Sequence, residues 1–215
     1  SKMPQAKDDG EMAPLSETFK SLFQNINYRN GVISQVLYVG AQIMCWTYIY
    51  QYSEAIGISS ENAANYQFIC FIVFLIGRAI GTYLLRFINS GKLLLQFALM
   101  AIVCVLGTVL IEGIVGLYAL VGISFFMSVM FPTIYGIALE DLDEKESKIG
   151  AAGLVMAIVG GALMPKLQGM IIDLGGSGVN DTKILGVSEV NFSFFLPLLC
   201  FLFIAYYGKK IANQS

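Results

Sequence analysis

The sequence predicts an all-α membrane protein of six transmembrane helices, and three observations carry that prediction: an excess of apolar residues, their grouping into long blocks, and the placement of the basic residues. Of 215 residues, 56% are hydrophobic and 13% charged, and the mean hydropathy is +0.70. A soluble domain is nearer about 45–50% apolar and about 25% charged. The excess forms blocks at Asn30–Tyr52, Ala63–Phe87, Leu93–Ile111, Gly116–Leu139, Gly150–Ile172 and Val190–Tyr207. A block of roughly 18 or more such residues crosses the hydrocarbon core as a helix. No period-two alternation suggests a barrel, so helices are left to satisfy the backbone in lipid.

Six spans place both chain ends on one side. With the ends inside, the inner segments hold Lys2, Lys7, Lys20, Arg29, Arg86, Lys92, Lys145, Lys148, Lys209 and Lys210, and the outer segments only Lys183. That asymmetry obeys the positive-inside rule. It puts Tyr48, Tyr50 and Tyr52 near the outer interface.

Composition excludes several functions. Net charge is −2 with no basic patch for nucleic acid, and there is no His, the commonest metal ligand and general base. Cys45, Cys70, Cys104 and Cys200 each lie inside an apolar block without CxxC spacing, and read as small buried hydrophobes rather than disulfides or metal ligands. No nucleophile–base set is apparent, so an enzyme is not expected, nor a metal or cofactor.

The organisation reads as a connector over 1–29, a six-helix body over 30–207 and a tail over 208–215. The start is polar, with Lys2, Lys7, Asp8, Asp9 and Glu11 and no apolar h-region, so it is not a signal peptide. The leading Ser in place of Met predicts that the natural protein begins upstream. Leu15, Phe19, Leu22, Phe23 and Ile26 recur at helical spacing between polar residues. They predict an amphipathic helix on the inner membrane surface, either a linker between two membrane halves or an ordinary flanking segment. Glu140–Lys148 reads as an inner loop, and Gly175–Ser188 as an outer loop. Asn180-Asp181-Thr182 and Asn191-Phe192-Ser193 match the weak glycosylation pattern.

Ionisable groups inside spans are costly and mark functional sites by default. Arg78, toward the inner end of span two, and Lys166, after Pro165 in span five, are the basic ones. Glu54, Glu112, Glu140 and Asp173 sit at span ends, so no carboxylate stands near the middle of a span to couple transport to protons. Tyr38, Gln42, Trp46 and Tyr50 follow each other at i, i+4 and predict one stripe, continued by Gln35. Amide and aromatic groups in that pattern suit a sugar, with the ring on the indole face and hydroxyls on the amide. The competing reading places Trp46 and the tyrosines in an aromatic belt, with Gln42 bonding a neighbouring helix. Asn65 faces a cavity or bridges the top of its helix. Pro132 in span four permits a bend of the kind found near transporter sites, or a static kink. Gly150, Gly153, Gly160, Gly161 and Gly169 are spaced for close helix contact, packing or sliding rather than binding.

The ordered set Tyr38-Val-Gly-Ala-Gln-Ile-Met-Cys-Trp-Thr-Tyr48, Ala64-Asn-Tyr66, Gly77-Arg78-x-x-Gly81-Thr82 with Arg86-Phe87 and Lys92, Phe126-Met-Ser, Phe131-Pro132-Thr-Ile134, and Gly160-Gly161 leading to Gly169 and Asp173 resembles the second half of the sugar–proton symporters of the major facilitator superfamily, those for L-fucose in particular. The resemblance runs from Asn30 to the C-terminus. It implies twelve helices in two six-helix halves, with this chain as helices seven to twelve and its start as the cytoplasmic connector. It implies a sugar and a proton as substrates, a bacterial inner membrane, and an N-terminal six-helix half that carries the proton-coupling carboxylates. Trp46 then faces the sugar cavity with Gln42 and Asn65 beside it, and Gly77, Arg78, Gly81, Arg86 and Lys92 form an inner-side motif that stabilises conformational states. Pro132, Gly160 and Gly161 are hinge candidates. Two departures stand out. Phe131 occupies a place where the pattern has tyrosine, which removes a hydroxyl from span four. The Leu163–Gly169 segment with Lys166 is similar to the related glucose/galactose permeases. Three functions follow: an L-fucose symporter half, a glucose or galactose permease half, or a six-helix scaffold that transports nothing.

Overall fold

The computed structural model describes residues 15–176, 178 and 182–214. The charged start from Lys2 to Glu11, the side chains of Leu15 and Ser16, and Asn180 and Asp181 of the first glycosylation pattern lie outside the described residues. A short helix, α1 (Leu15–Gln24), precedes the first span. Six helical segments have the length and composition to cross a membrane: Ile26–Ala55, Ser60–Leu84, Ser90–Leu110, Ile114–Leu139, Glu144–Ile172 and Glu189–Ala212. Every predicted span is present. The first and last are longer than their apolar blocks and take in residues that the sequence reading gave to the connector and tail.

Local chemistry explains the bounds. Asn25 starts the first span by accepting hydrogen bonds from the Asn27 and Tyr28 amides at 2.9 and 3.1 Å. Asn89 does the same for the third span, Asp143 for the fifth and Ser188 for the sixth, each using a short polar side chain suited to an N-cap. Gly57 follows the end of the first span at φ +80°, and Gly113 opens the fourth at φ +87°, a region glycine enters at little cost. Inside the predicted outer loop, β1 (Lys183–Ile184) pairs antiparallel with β2 (Val187–Ser188). Leu185 and Gly186 turn the corner with φ 54° and 85°, the left-handed pair that a two-residue hairpin requires.

Four of the six spans are broken. The first comprises α2 (Ile26–Thr47) and α3 (Ile49–Ala55), separated at Tyr48. The second and third are the continuous helices α4 (Ser60–Leu84) and α5 (Ser90–Leu110). The fourth comprises α6 (Ile114–Met127) and α7 (Met130–Leu139). The fifth runs as α8 (Glu144–Met156), a 3₁₀ turn at Ala157–Val159, and α9 (Gly160–Ile172). The sixth is α10 (Glu189–Ser193) leading into α11 (Phe195–Ala212).

The helices pack as α11 along α5, α5 along α6, α4 on α6, and α2 against both α9 and α11. One core gathers Tyr38, Leu94, Phe97, Leu120, Met127, Phe194 and Phe201, and a smaller one on the side of the chain ends gathers Leu22, Tyr28, Ala138 and Leu154. Coverage is uneven. Only 17% of the apolar window of the second span and 22% of the fifth are buried, against 50–61% for the other four. Phe68, Leu75, Ile76, Met156, Leu163 and Met170 therefore stand exposed on the two flanking spans. Such apolar faces fit lipid or another protein segment.

Candidate functional site

Gln42 and Trp46 stand in the far half of the first span. Trp46 is half-buried, and its indole Nε1–H donates to Ser124 Oγ at 3.2 Å. The rings of Phe71 and Phe74 meet it edge-on, with centroids at 5.0 and 5.2 Å. The indole is therefore fixed in direction by one hydrogen bond and two aromatic contacts. Gln42, one turn along α2, is half-buried, and its amide makes no hydrogen bond among the described residues. The same helix thus offers a fixed aromatic ring and, one turn away, an amide open to a hydrogen-bonding partner.

The other members of the predicted stripe stand in different surroundings. Tyr38 is fully buried, with its ring edge on Phe131 at 6.1 Å. Its hydroxyl, both amide atoms of Gln35 and the Ser34 hydroxyl are buried without a partner among the described residues. Tyr38 thus belongs to the interior of the half-bundle, because α7 and its Phe131 cover that face. Tyr50 falls beyond the turn at Tyr48 and stands on α3, 39% exposed. A change of helix ends the i, i+4 register that placed it beside Trp46.

Asn65 is not brought beside Trp46 either. At about 100° per residue it lies on the opposite face of α4 from Phe74, the residue that meets the indole. It lines a separate groove of about 540 Å³ with Asn62, Tyr66, Ile69 and Tyr118.

The motif on α4 divides in two. A Cβ on Gly77 would come within 2.5 Å of the Phe125 carbonyl oxygen, and one on Gly81 within 2.9 Å of Val129. Both glycines let α4 cross the broken fourth span closely. Pro132 has no N–H, so the Ser128 carbonyl four residues before it loses its helical donor. Arg78 Nε donates to that carbonyl at 3.2 Å, and its guanidinium lies 5.4 Å from the Phe74 ring centre. Arg86 and Lys92 instead stand exposed at the end of α4 and the start of α5; the ion pair among the described residues is Lys148–Glu144.

Gly160 and Gly161 sit where the fifth span crosses the first. A Cβ on Gly160 would overlap the Val36 carbonyl, and one on Gly161 would press on Val39 and Ile43 at 3.1 Å. Tyrosines grip the fifth span at both ends of this crossing. Tyr28 donates to the Gly150 carbonyl at 3.0 Å, and Tyr48 to the Pro165 carbonyl at 2.7 Å.

Several groups carry weight that pattern reading missed. Tyr52, expected at an interface, is fully buried and donates to the Ile111 carbonyl at 3.1 Å. Asn191 Nδ2 donates to the Thr108 carbonyl at 2.8 Å and to Tyr52 Oη at 3.4 Å. This burial at 3% exposure leaves the second glycosylation pattern closed to an enzyme. Gln168 Nε2 donates to Ser193 Oγ at 2.9 Å. Glu189, read as lying before the last span, is its first residue and fully buried. Only the polar spacing of Ser188, Asn191 and Ser193 hints at this network.

Comparison with known proteins places this geometry. An L-fucose-proton symporter of Haemophilus influenzae is 48% identical over 210 residues, 97% of this chain and 47% of that protein. The L-fucose-proton symporter of Escherichia coli is 32% identical, over 94% of this chain and 43% of its own length. A putative glucose/galactose transporter of Helicobacter pylori is also 32% identical, over 94% and 48%. The chain spans about half the length of the curated relatives it matches. A crystal structure of the E. coli fucose:proton symporter superposes with a TM-score of 0.84 at 30% identity, covering 97% of this chain and 49% of that one. With six membrane-crossing helices in that arrangement and a match to the Major Facilitator Superfamily over residues 2–165, this multi-pass membrane chain belongs to the Major Facilitator Superfamily.

Proposed function

We propose that this chain is the C-terminal half of a secondary active transporter that takes up L-fucose with a proton by alternating access. The observation that carries the reading is the pair Gln42 and Trp46, an unbonded amide beside an indole held by Ser124, Phe71 and Phe74, in a chain whose 48% identical relative is an L-fucose-proton symporter. Gln42 supplies hydrogen bonds to sugar hydroxyls, and Trp46 an apolar face for the ring. The exposed apolar faces of the second and fifth spans receive the N-terminal half and lipid, and that half supplies the carboxylates for proton coupling. Gly77, Arg78 and Gly81 stabilise the conformational states by locking α4 onto the fourth-span break. Asn65 has no sugar role in this reading, and Tyr38 and Tyr50 have none in this conformation. Both chain ends face the cytoplasm of a bacterial inner membrane, with residues 1–29 as the connector between halves.

A second reading, glucose or galactose as the sugar, is favoured by the equal identity, 32%, of the E. coli fucose symporter and the H. pylori glucose/galactose transporter. The test is radiolabelled L-fucose uptake by the intact transporter in cells, with glucose and galactose as competitors and a protonophore. Uptake abolished by the protonophore and untouched by the hexoses supports the fucose symporter; competition by either hexose moves the assignment to the second reading. No uptake of any of the three sugars favours a scaffold. Trp46→Ala is expected to weaken sugar binding at least about tenfold, about 1.4 kcal/mol, with insertion unchanged, and saturable uptake at the parental KM would sink the site.

A further inference from the structure

Helix α1 sorts its residues into three sectors. Ser21 and Leu22 face the protein: Ser21 Oγ donates to Glu146 Oε1 at 2.6 Å on α8, and Leu22, 1% exposed, packs with Tyr28, Ala138 and Leu154. Phe19 and Phe23, at i and i+4, are 50% and 64% exposed. Lys20, Gln24 and Glu17 make up the remaining, exposed polar sector. At 3.6 residues per turn the centres of these sectors lie roughly 120° apart.

A helix in water beside a protein needs two sectors, one for each surroundings. A third, apolar and uncovered, has a physical reason only where a third surrounding exists. The chain supplies one. α1 ends at Gln24, and Asn25 alone separates it from the first residue of the first span, Ile26, itself 52% exposed. The apolar block of that span begins at Asn30, about 9 Å along the helix axis from Gln24, which places α1 at the level of the lipid headgroups. At that depth protein lies to one side, acyl chains below and water above, which is the order of the three sectors.

We propose that α1 is an interfacial membrane anchor, with Phe19 and Phe23 inserted at the boundary between lipid headgroups and acyl chains, Lys20 and Gln24 in water, and Ser21 and Leu22 tying it to the end of the fifth span. This goes beyond transport and does not depend on which sugar is carried. It gives the loosely covered fifth span a direct mechanical tie to the bilayer surface through the Ser21–Glu146 hydrogen bond.

The test uses the intact transporter in phospholipid liposomes, with single nitroxide labels introduced as Phe19→Cys, Lys20→Cys, Leu22→Cys, Phe23→Cys and Gln24→Cys. Collision with molecular oxygen, which partitions into lipid, is compared with collision with a water-soluble nickel chelate. The proposal expects oxygen to exceed nickel several-fold at positions 19 and 23, the reverse at 20 and 24, and both to be low at 22. Nickel dominance at 19 and 23 places that face in water and overturns it. Low collision with both reagents there shows another protein segment covering the face, which also overturns it. A thermal midpoint equal to the parent's for each labelled protein establishes that the fold is intact, and Phe23→Trp, read by quenching with brominated lipid, replaces any label that disturbs it.

Discussion

The fourth and fifth spans each carry a proline inside a helix, and the carbonyls that the two prolines free are held differently. Pro132 frees the Ser128 carbonyl, and Arg78 on a neighbouring helix occupies it. Around that point Ser128 Oγ donates to the Phe125 carbonyl at 2.6 Å and Thr133 Oγ1 to the Val129 carbonyl at 2.8 Å, while Gly77 and Gly81 bring α4 into contact. Pro165 in α9 withdraws the donor of the Gly161 carbonyl in the same way, but no side chain among the described residues takes that donor's place. A 3₁₀ turn stands just before Gly160, and such a stretch within a helix often marks a hinge. The fifth span is gripped through the Gly150 and Pro165 carbonyls, on either side of the break. A kink whose orphaned carbonyl is filled by a charged donor is a fixed shape. A kink pinned only on either side, in a span with 22% of its apolar window buried, is expected to bend more readily.

The comparison is broken most severely at its glycines. Gly160→Val and Gly77→Val each force a side chain into a neighbouring backbone and are expected to cost about 3 kcal/mol or more, read as lost yield of monodisperse protein. A well-folded Gly160→Val protein would show that the crossing with Val36 is not close. Arg78→Ala is expected to cost about 2 kcal/mol by stranding the Ser128 carbonyl, seen as a lower unfolding midpoint of the intact transporter; no change would put the two breaks on equal footing. Tyr48→Phe removes a single hydrogen bond to Pro165, worth about 1 kcal/mol, and is expected to change the fifth span's hydrogen exchange more than the global midpoint. The smallest effect is expected from Tyr38→Phe. It deletes a hydroxyl that has no partner among the described residues, so stability is held or rises slightly, and sugar affinity is unchanged. A drop in affinity would return Tyr38 to the site.

Much of the fold was legible because lipid is a severe solvent. Length and hydropathy located all six spans, while the Asn, Ser and Asp caps that set several of their starts lie outside the apolar blocks. Within a span the legibility fell. The i, i+4 rule placed Gln42 and Trp46 together but carried on through Tyr50, because a turn at Tyr48 leaves no mark in composition. The same rule put Tyr38 on that stripe, and only the packing of α7 shows that Phe131 covers it. Asn65 was assigned by motif, yet its helix turns it away from Trp46. Arg78 was recognised as unusual, while its partner was invisible: a backbone carbonyl is identical at every residue, and only Pro132, far along the chain, makes the one at Ser128 available.

What the sequence by itself determined is the membrane-crossing architecture: the number of spans, their approximate ends, and the scarcity of charge within them. These follow from the cost of unsatisfied backbone and charge in hydrocarbon, which acts on each segment alone. The tertiary structure decided which residues of a span face a neighbour, which polar groups find partners and where a helix breaks. Those outcomes depend on close approach between segments distant in sequence, as at Gly160 against Val36, Arg78 against Ser128 and Asn191 against Tyr52, and no segment carries them on its own.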